Sequence, residues 1–136
     1  MYQWGKLAAL CMPVLFVTLQ AATAAEPVVL TRSVESGAET VVARSTFWNS
    51  DCSPVSVKVT ITKPPSRGTA TVREGANPVS ANPRFGTSGQ CVGKEVMGKQ
   101  VVYRSPVGYK GEDVINYESV SAKGQKSNVV VNITVK

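Results

Sequence analysis

Histidine is absent from these 136 residues. Its absence removes the commonest general base and metal ligand, and with them any Ser-His or Cys-His catalytic pair. Cysteine is scarce, with three in all. No run of like charge exists either: the lysines and arginines after Lys6 are spread from Arg32 to Lys136, giving a diffuse net charge of +6. A diffuse excess attracts anionic polymers weakly and encodes no specific nucleic-acid site. The apolar run from Leu7 to Leu19 contains Pro13 and spans 13 residues, short of the roughly 20 that a membrane-spanning helix needs. Nor does any long stretch place apolar residues at three-and-four spacing, so no helix competes with the β-branched character of the chain.

What is present at the N-terminus is Lys6 as the sole charge, the apolar run, and Ala21-Ala22-Thr23-Ala24-Ala25 ahead of Glu26. That order matches a secretory signal peptide over residues 1–25, with cleavage expected after Ala24 or Ala25. Cys11 follows the bulky Leu10 within the run, where a lipidation signal wants a small residue. The remaining residues, 26–136, are the size of one domain. Their two cysteines, Cys52 and Cys91, read as one disulfide in an exported chain. Closing a loop of that length restricts the unfolded chain by about 4 kcal/mol in the chain-entropy model.

The domain reads as strands throughout. Val55, Val57, Val59 and Ile61 alternate with Ser56, Lys58, Thr60 and Thr62 until Pro64-Pro65, and Val129, Val131, Ile133 and Val135 repeat the device near the C-terminus. Period-two alternation of this kind marks strands with one buried face. Strands are expected over 28–34, 39–47, 55–62, 69–73, 100–104, 113–121 and 127–135, which suggests an all-β antiparallel sandwich of about seven strands. Residues 75–99 break the rhythm. They are rich in Gly, Pro, Asn and Ser, and are expected to form an inserted loop with a short extra strand around Arg84 to Gly86.

In the C-terminal half, Val101-Val102-Tyr103-Arg104-Ser105-Pro106 continues as Val107-Gly108-Tyr109-Lys110-Gly111-Glu112-Asp113-Val114-Ile115-Asn116-Tyr117. Together with Pro65-Ser66-Arg67-Gly68-Thr69-Ala70-Thr71-Val72 and the strand from Asn128 to Val135, this resembles the bacterial Ig-like and cadherin-like repeat domains of large surface adhesins. Two residues rather than one separate Tyr103 from Pro106, and those domains usually come in tandem and usually lack cysteines. The resemblance implies an immunoglobulin-like fold, and the signal peptide a periplasmic or secreted location. It places Cys52 in the connection between the second and third strands and Cys91 in the insertion, which emerge at one end of such a sandwich. It also makes Gly111 and Asp113 structural turn residues, with Asp113 accepting nearby backbone amides.

Glu112 and Asp113 are adjacent, so on a strand they point to opposite faces and cannot flank one scissile bond. No catalytic residue, metal site or cofactor is therefore expected, with calcium at Asp51, Glu112 and Asp113 the alternative. Phe47 and Trp48 are expected to point one inward and one outward. Trp48, Asn49, Asp51, Arg84 and Phe85 are candidates for a binding patch beside the disulfide, with Lys94 supplying further charge. Tyr103, Tyr109 and Tyr117 read as core and corner residues, and the sequon Asn132-Ile133-Thr134 falls inside a strand. The expected function is a non-enzymatic binding or structural module of the bacterial cell envelope that presents disulfide-tied loops to a protein or glycan. A secreted enzyme inhibitor using residues 75–99 as a wedge is the alternative.

Overall fold

The computed structural model describes residues 16–21, 25–80 and 89–136. These contain nine strands and no helix: β1 (Val28–Val34), β2 (Glu39–Ser45), β3 (Phe47–Trp48), β4 (Pro54–Val55), β5 (Val57–Lys63), β6 (Thr69–Pro78), β7 (Glu95–Arg104), β8 (Gly111–Ser121) and β9 (Lys126–Val135). One sheet has the order β1-β9-β8-β5 and a second the order β2-β7-β6, while β3 and β4 form a separate two-stranded ribbon.

The alternation read in the sequence does the sorting. Along β8 every odd-numbered residue from Asp113 to Ser121 is buried and every even-numbered one from Val114 to Val120 is half-buried. Val129, Val131, Ile133 and Val135 of β9 are buried in the same way. With Val34, Val42, Ala43, Val101, Tyr103, Ile115 and Tyr117 they form one apolar cluster drawn from both larger sheets. Complete burial of a Val or Ile side chain contributes roughly 1.5–3 kcal/mol relative to exposure, so this shared cluster is what holds the two sheets together.

Three expectations change. The pairing is not wholly antiparallel, because β1 runs parallel to β9 from Val28↔Val129 to Val34↔Val135. Parallel neighbours cannot be joined by a tight hairpin, and here nearly the whole domain lies between them. The second strand stops at Ser45, and the chain then leaves its sheet to build the β3–β4 ribbon. Finally, residues 75–99 are not a loop from end to end. β6 and β7 continue as paired strands through Gly75↔Gly98, Ala76↔Met97, Asn77↔Val96 and Pro78↔Glu95, while Arg84 to Gly86 lie outside the described residues.

The glycines that suggested a loop have a packing role. A Cβ on Gly75 would stand 2.6 Å from the Gln100 side-chain amide carbon, and one on Gly98 would stand 2.5 Å from the Ser45 carbonyl oxygen. Glycine inside a strand often marks such a close approach. The space is filled by a polar chain: Arg73 Nε donates to Gln100 Oε1 (3.0 Å), Gln100 Nε2 to Asn77 Oδ1 (3.0 Å), and Asn77 Nδ2 to Thr46 Oγ1 (2.8 Å). Asn77 is 1% exposed, so these bonds satisfy groups that water cannot reach.

Candidate functional site

Two places in the fold gather chemically able side chains, one at each end. At the first, Asp113 is buried near the start of β8. Its Oδ1 accepts the Ser66 amide (2.8 Å) and its Oδ2 accepts the Arg67 (3.1 Å) and Gly68 (2.9 Å) amides, so one carboxylate organises the turn between β5 and β6. The Tyr103 hydroxyl donates to the same Oδ2 at 2.9 Å. Burial opposes the charge on Asp113, yet the donors from Gly68, Ser66, Tyr103 and Arg67 together outweigh it and hold the group below the ordinary carboxylate range. Burial, then the bond to Asp113, pushes the Tyr103 phenol well above its ordinary value. A carboxylate so fully occupied has no lone pair left for substrate. The carboxylate accepts the backbone amides of the turn and the hydroxyl of Tyr103, the tyrosine with which the resembling motif begins.

At the opposite end Cys52 and Cys91 are bonded, with Cα atoms 5.4 Å apart. Cys52 sits in the turn of the β3–β4 ribbon with φ of 67°, a left-handed conformation that costs a residue with a side chain. The turn is held locally: Cys52 N donates to the Asn49 carbonyl (2.9 Å), and Asp51 Oδ1 accepts both the Ser53 amide (3.1 Å) and the Ser53 hydroxyl (2.6 Å). The Ser53 hydroxyl and amide place the Asp51 carboxyl below its ordinary range. Cys91 is fully buried with Val79 and Val96, and Trp48 packs on this small cluster beside Cys52. The disulfide thus joins the ribbon to the connection between β6 and β7, four residues before β7 begins.

Beside the ribbon lies a cleft of about 430 Å³ between the two larger sheets. Val28, Leu30 and Val129 form its apolar wall from β1 and β9, and Tyr117 and Ser119 of β8 lie at its buried floor. Phe47 and Trp48 both contribute to the lining on the facing side, and Trp48 also packs on the cluster of Val79, Cys91 and Val96. Arg44, Ser45, Thr46, Asn49, Ser50, Gln125 and Ser127 complete the lining, which contains no aspartate or glutamate among the described residues. Burial pushes the Tyr117 phenol upward against the opposing effects of a hydrogen bond with Ser45 and the charge of Arg32, whose guanidinium donates to the Val42 carbonyl at 2.8 Å and the Thr31 carbonyl at 2.9 Å.

Of the residues singled out in the sequence, Cys52, Cys91 and Trp48 come together. Lys94 is exposed in the turn after Cys91, where its amide donates to the Cys91 carbonyl at 3.1 Å; it does not line the cleft. Arg84 and Phe85 lie outside the described residues. Gly111 opens β8 with φ of 145°, and a Cβ there would stand 2.8 Å from the Tyr109 hydroxyl. That hydroxyl donates to the Glu112 carbonyl at 2.8 Å, so Gly111 and Asp113 both serve the turns of this end. Sequence reading missed the cleft itself and gave Tyr117, at its floor, only as a core or corner residue, since nothing local in the chain marks two strands from different sheets as the walls of one space.

No family model and no curated protein matches this chain. One solved structure, described as the solution structure of amebosin, is similar over 82% of this chain and 100% of that one, with 11% identity and a TM-score of 0.37. A likeness at that level carries no argument about topology or function.

Proposed function

We propose that the chain is an exported, non-enzymatic immunoglobulin-like module of the bacterial cell envelope that binds a protein or glycan at its disulfide-bearing end. The sheet orders support the fold. With strands lettered in chain order and the β3–β4 ribbon set aside, β2-β7-β6 reads B-E-D and β9-β8-β5 reads G-F-C, the two faces of an immunoglobulin sandwich. The first strand lies beside G. The likeness of residues 101–117 to adhesin-type repeats supports the bacterial reading, and the N-terminal charge, apolar run and small residues support export.

The observation that carries the binding reading is the cleft between the sheets, walled by Phe47 and Trp48 and adjoining the disulfide-tied ribbon. Concave sites with apolar and aromatic walls and a few polar groups are where small ligands and peptide segments bind. The test is retention of a defined component from envelope extract by immobilised protein. Trp48→Ala is expected to lose that component while Val107→Ser, at an exposed position of the other end, keeps it. Equal retention by both variants, or no component retained by wild type, would refute the reading.

A further inference from the structure

We infer that the free edge of β6 pairs with the same edge of a second copy of this chain, joining their smaller sheets into one antiparallel sheet β2-β7-β6-β6-β7-β2. The inference concerns a different surface from the cleft and does not depend on it. A strand at the edge of an open sheet presents unpaired amides and carbonyls, and folded proteins ordinarily blunt such edges with bulges, lysines or covering side chains. The edges of the two larger sheets are β1 and β5 in one and β2 and β6 in the other. All but β6 are blunted. β5 carries Lys58 and Lys63 and a register shift between Ile61 and Lys63, and β2 has a shift between Val41 and Ala43. β1 lies against β2, and its Arg32 donates to the Val42 carbonyl at 2.8 Å.

β6 has none of these devices. Its register runs unbroken from Thr69↔Arg104 to Pro78↔Glu95, it has no lysine, and its sole proline is its last residue. Its charged side chains are drawn back over the sheet instead of projecting past the edge: Arg73 bonds Gln100 of β7 and Glu39 of β2, and Glu74 bonds Lys99 of β7. The phase of the ladder fixes which backbone groups face outward. Val79 N donates at 2.8 Å to the carbonyl of Lys94, which continues the same register. Hydrogen-bonded pairs alternate along an antiparallel ladder. The odd-numbered residues of β6 therefore bond to β7, and the amides and carbonyls of Ala70, Val72, Glu74 and Ala76 point away from it. This free stretch is closed at one end by Asp113, which takes the Gly68 amide at 2.9 Å, and at the other by Pro78, which has no N–H.

A second β6 laid antiparallel across a twofold axis pairs these groups with their own kind, and side chains and closed ends select the register. Centring on Arg73 or Glu74 sets like charges directly opposite each other, which is destabilising. Centring on Thr71 or Gly75 leaves Glu74 opposite Gly68 or Val72 opposite Pro78, whose amides are taken or absent. Centring on Val72 sets Val72 against Val72 and Ala70 against Glu74, each pair exchanging both backbone bonds, with Thr71 opposite Arg73. The disulfide-bearing ends of the two copies then point in opposite directions.

The experiment follows the oxidised full chain over a concentration series by sedimentation equilibrium and amide hydrogen exchange. A dimer is expected, with the amides of Ala70, Val72 and Glu74 becoming protected as it accumulates while those of Thr71 and Arg73 are protected throughout. Thr71→Lys, which meets Arg73 on both sides of the axis, is expected to weaken the dimer about fivefold or more, and Thr71→Glu to strengthen it by a similar factor. Thr71 is exposed, so both variants leave the fold intact; unchanged amide shifts away from β6 check this. A monomer at every concentration, a dimer that leaves Ala70, Val72 and Glu74 unprotected, or equal affinity of the two variants would overturn the inference. Protection of these amides only when envelope extract is added would give the edge to a different chain and overturn it as well.

Discussion

Replacing Asp113 with alanine tests the end of the molecule whose chemistry is most fully determined. The carboxylate takes three backbone amides from the turn at 66–68, the Ser66 hydroxyl at 3.3 Å, and the Tyr103 hydroxyl. The turn amides lie near the surface and water can replace part of what they lose. Tyr103 is 0% exposed, so its hydroxyl is left without a partner, a loss of about 1–3 kcal/mol by itself. Adding the charge-assisted bonds to the turn, the substitution should cost about 3–5 kcal/mol, the range found when one partner is removed from a buried charged network. In a domain of this size that lowers the melting temperature by roughly 10–20 °C.

The decisive measurement is a double-mutant cycle by urea unfolding. Tyr103→Phe alone should cost about 1–2 kcal/mol, because it removes one bond to a charged acceptor. In the Asp113→Ala background the same change should be neutral or stabilising, since it deletes a donor that no longer has an acceptor. An equal cost in both backgrounds would refute the reasoning. The pH dependence gives a second check. A folded-state value below the unfolded Asp value near 3.9 means that the contribution is complete above that pH and is lost as pH falls through the lower, folded value. The gap between wild type and Asp113→Asn should therefore stay constant from about pH 5 to 8 and close under acid conditions.

Non-reducing mass spectrometry should find Cys52 and Cys91 joined, and two alkylatable thiols at these positions would contradict that; Cys52→Ser with Cys91→Ser should cost about 2–4 kcal/mol. Gly68→Ala places a Cβ 2.4 Å from the Arg104 carbonyl oxygen and 2.5 Å from the Tyr103 ring, so urea unfolding should report a loss of about 1–3 kcal/mol from overpacking. Gly75→Ala should displace Gln100 from Asn77, seen as a shift of the Asn77 side-chain amide resonances with a similar loss of about 1–3 kcal/mol.

The strands were legible where one physical cause acted alone. In β1, β5, β8 and β9 the alternation is clean because one face meets the core, and the expected bounds agree with the observed ones to within two residues. Reading failed where backbone packing overrode composition. Gly75 and Gly98 lower strand propensity as surely as loop glycines do. Only the register that sets them opposite each other, with Gln100 and the Ser45–Thr46 backbone crowding in, shows why small residues were needed there. The same limit hid the cleft, whose walls combine β1 and β9 with β2 and β3 across the gap between sheets.

The two ends of the domain are secured by different means, and the difference bears on where binding is feasible. At the Asp113 end a single carboxylate neutralises a row of amides, leaving a turn whose polar groups are already satisfied. At the other end the covalent link holds the β3–β4 ribbon against the β6–β7 hairpin. A disulfide fixes position without using a hydrogen bond, while Asn49 Nδ2 donates to Ser53 Oγ at 2.9 Å within the ribbon it holds. The order it imposes is also established before binding, and a ligand entering a wall already held in place forfeits less conformational entropy than one that must assemble it. The aromatic side chains that line the cleft are attached to this covalently held end, so a ligand there meets surfaces already in place.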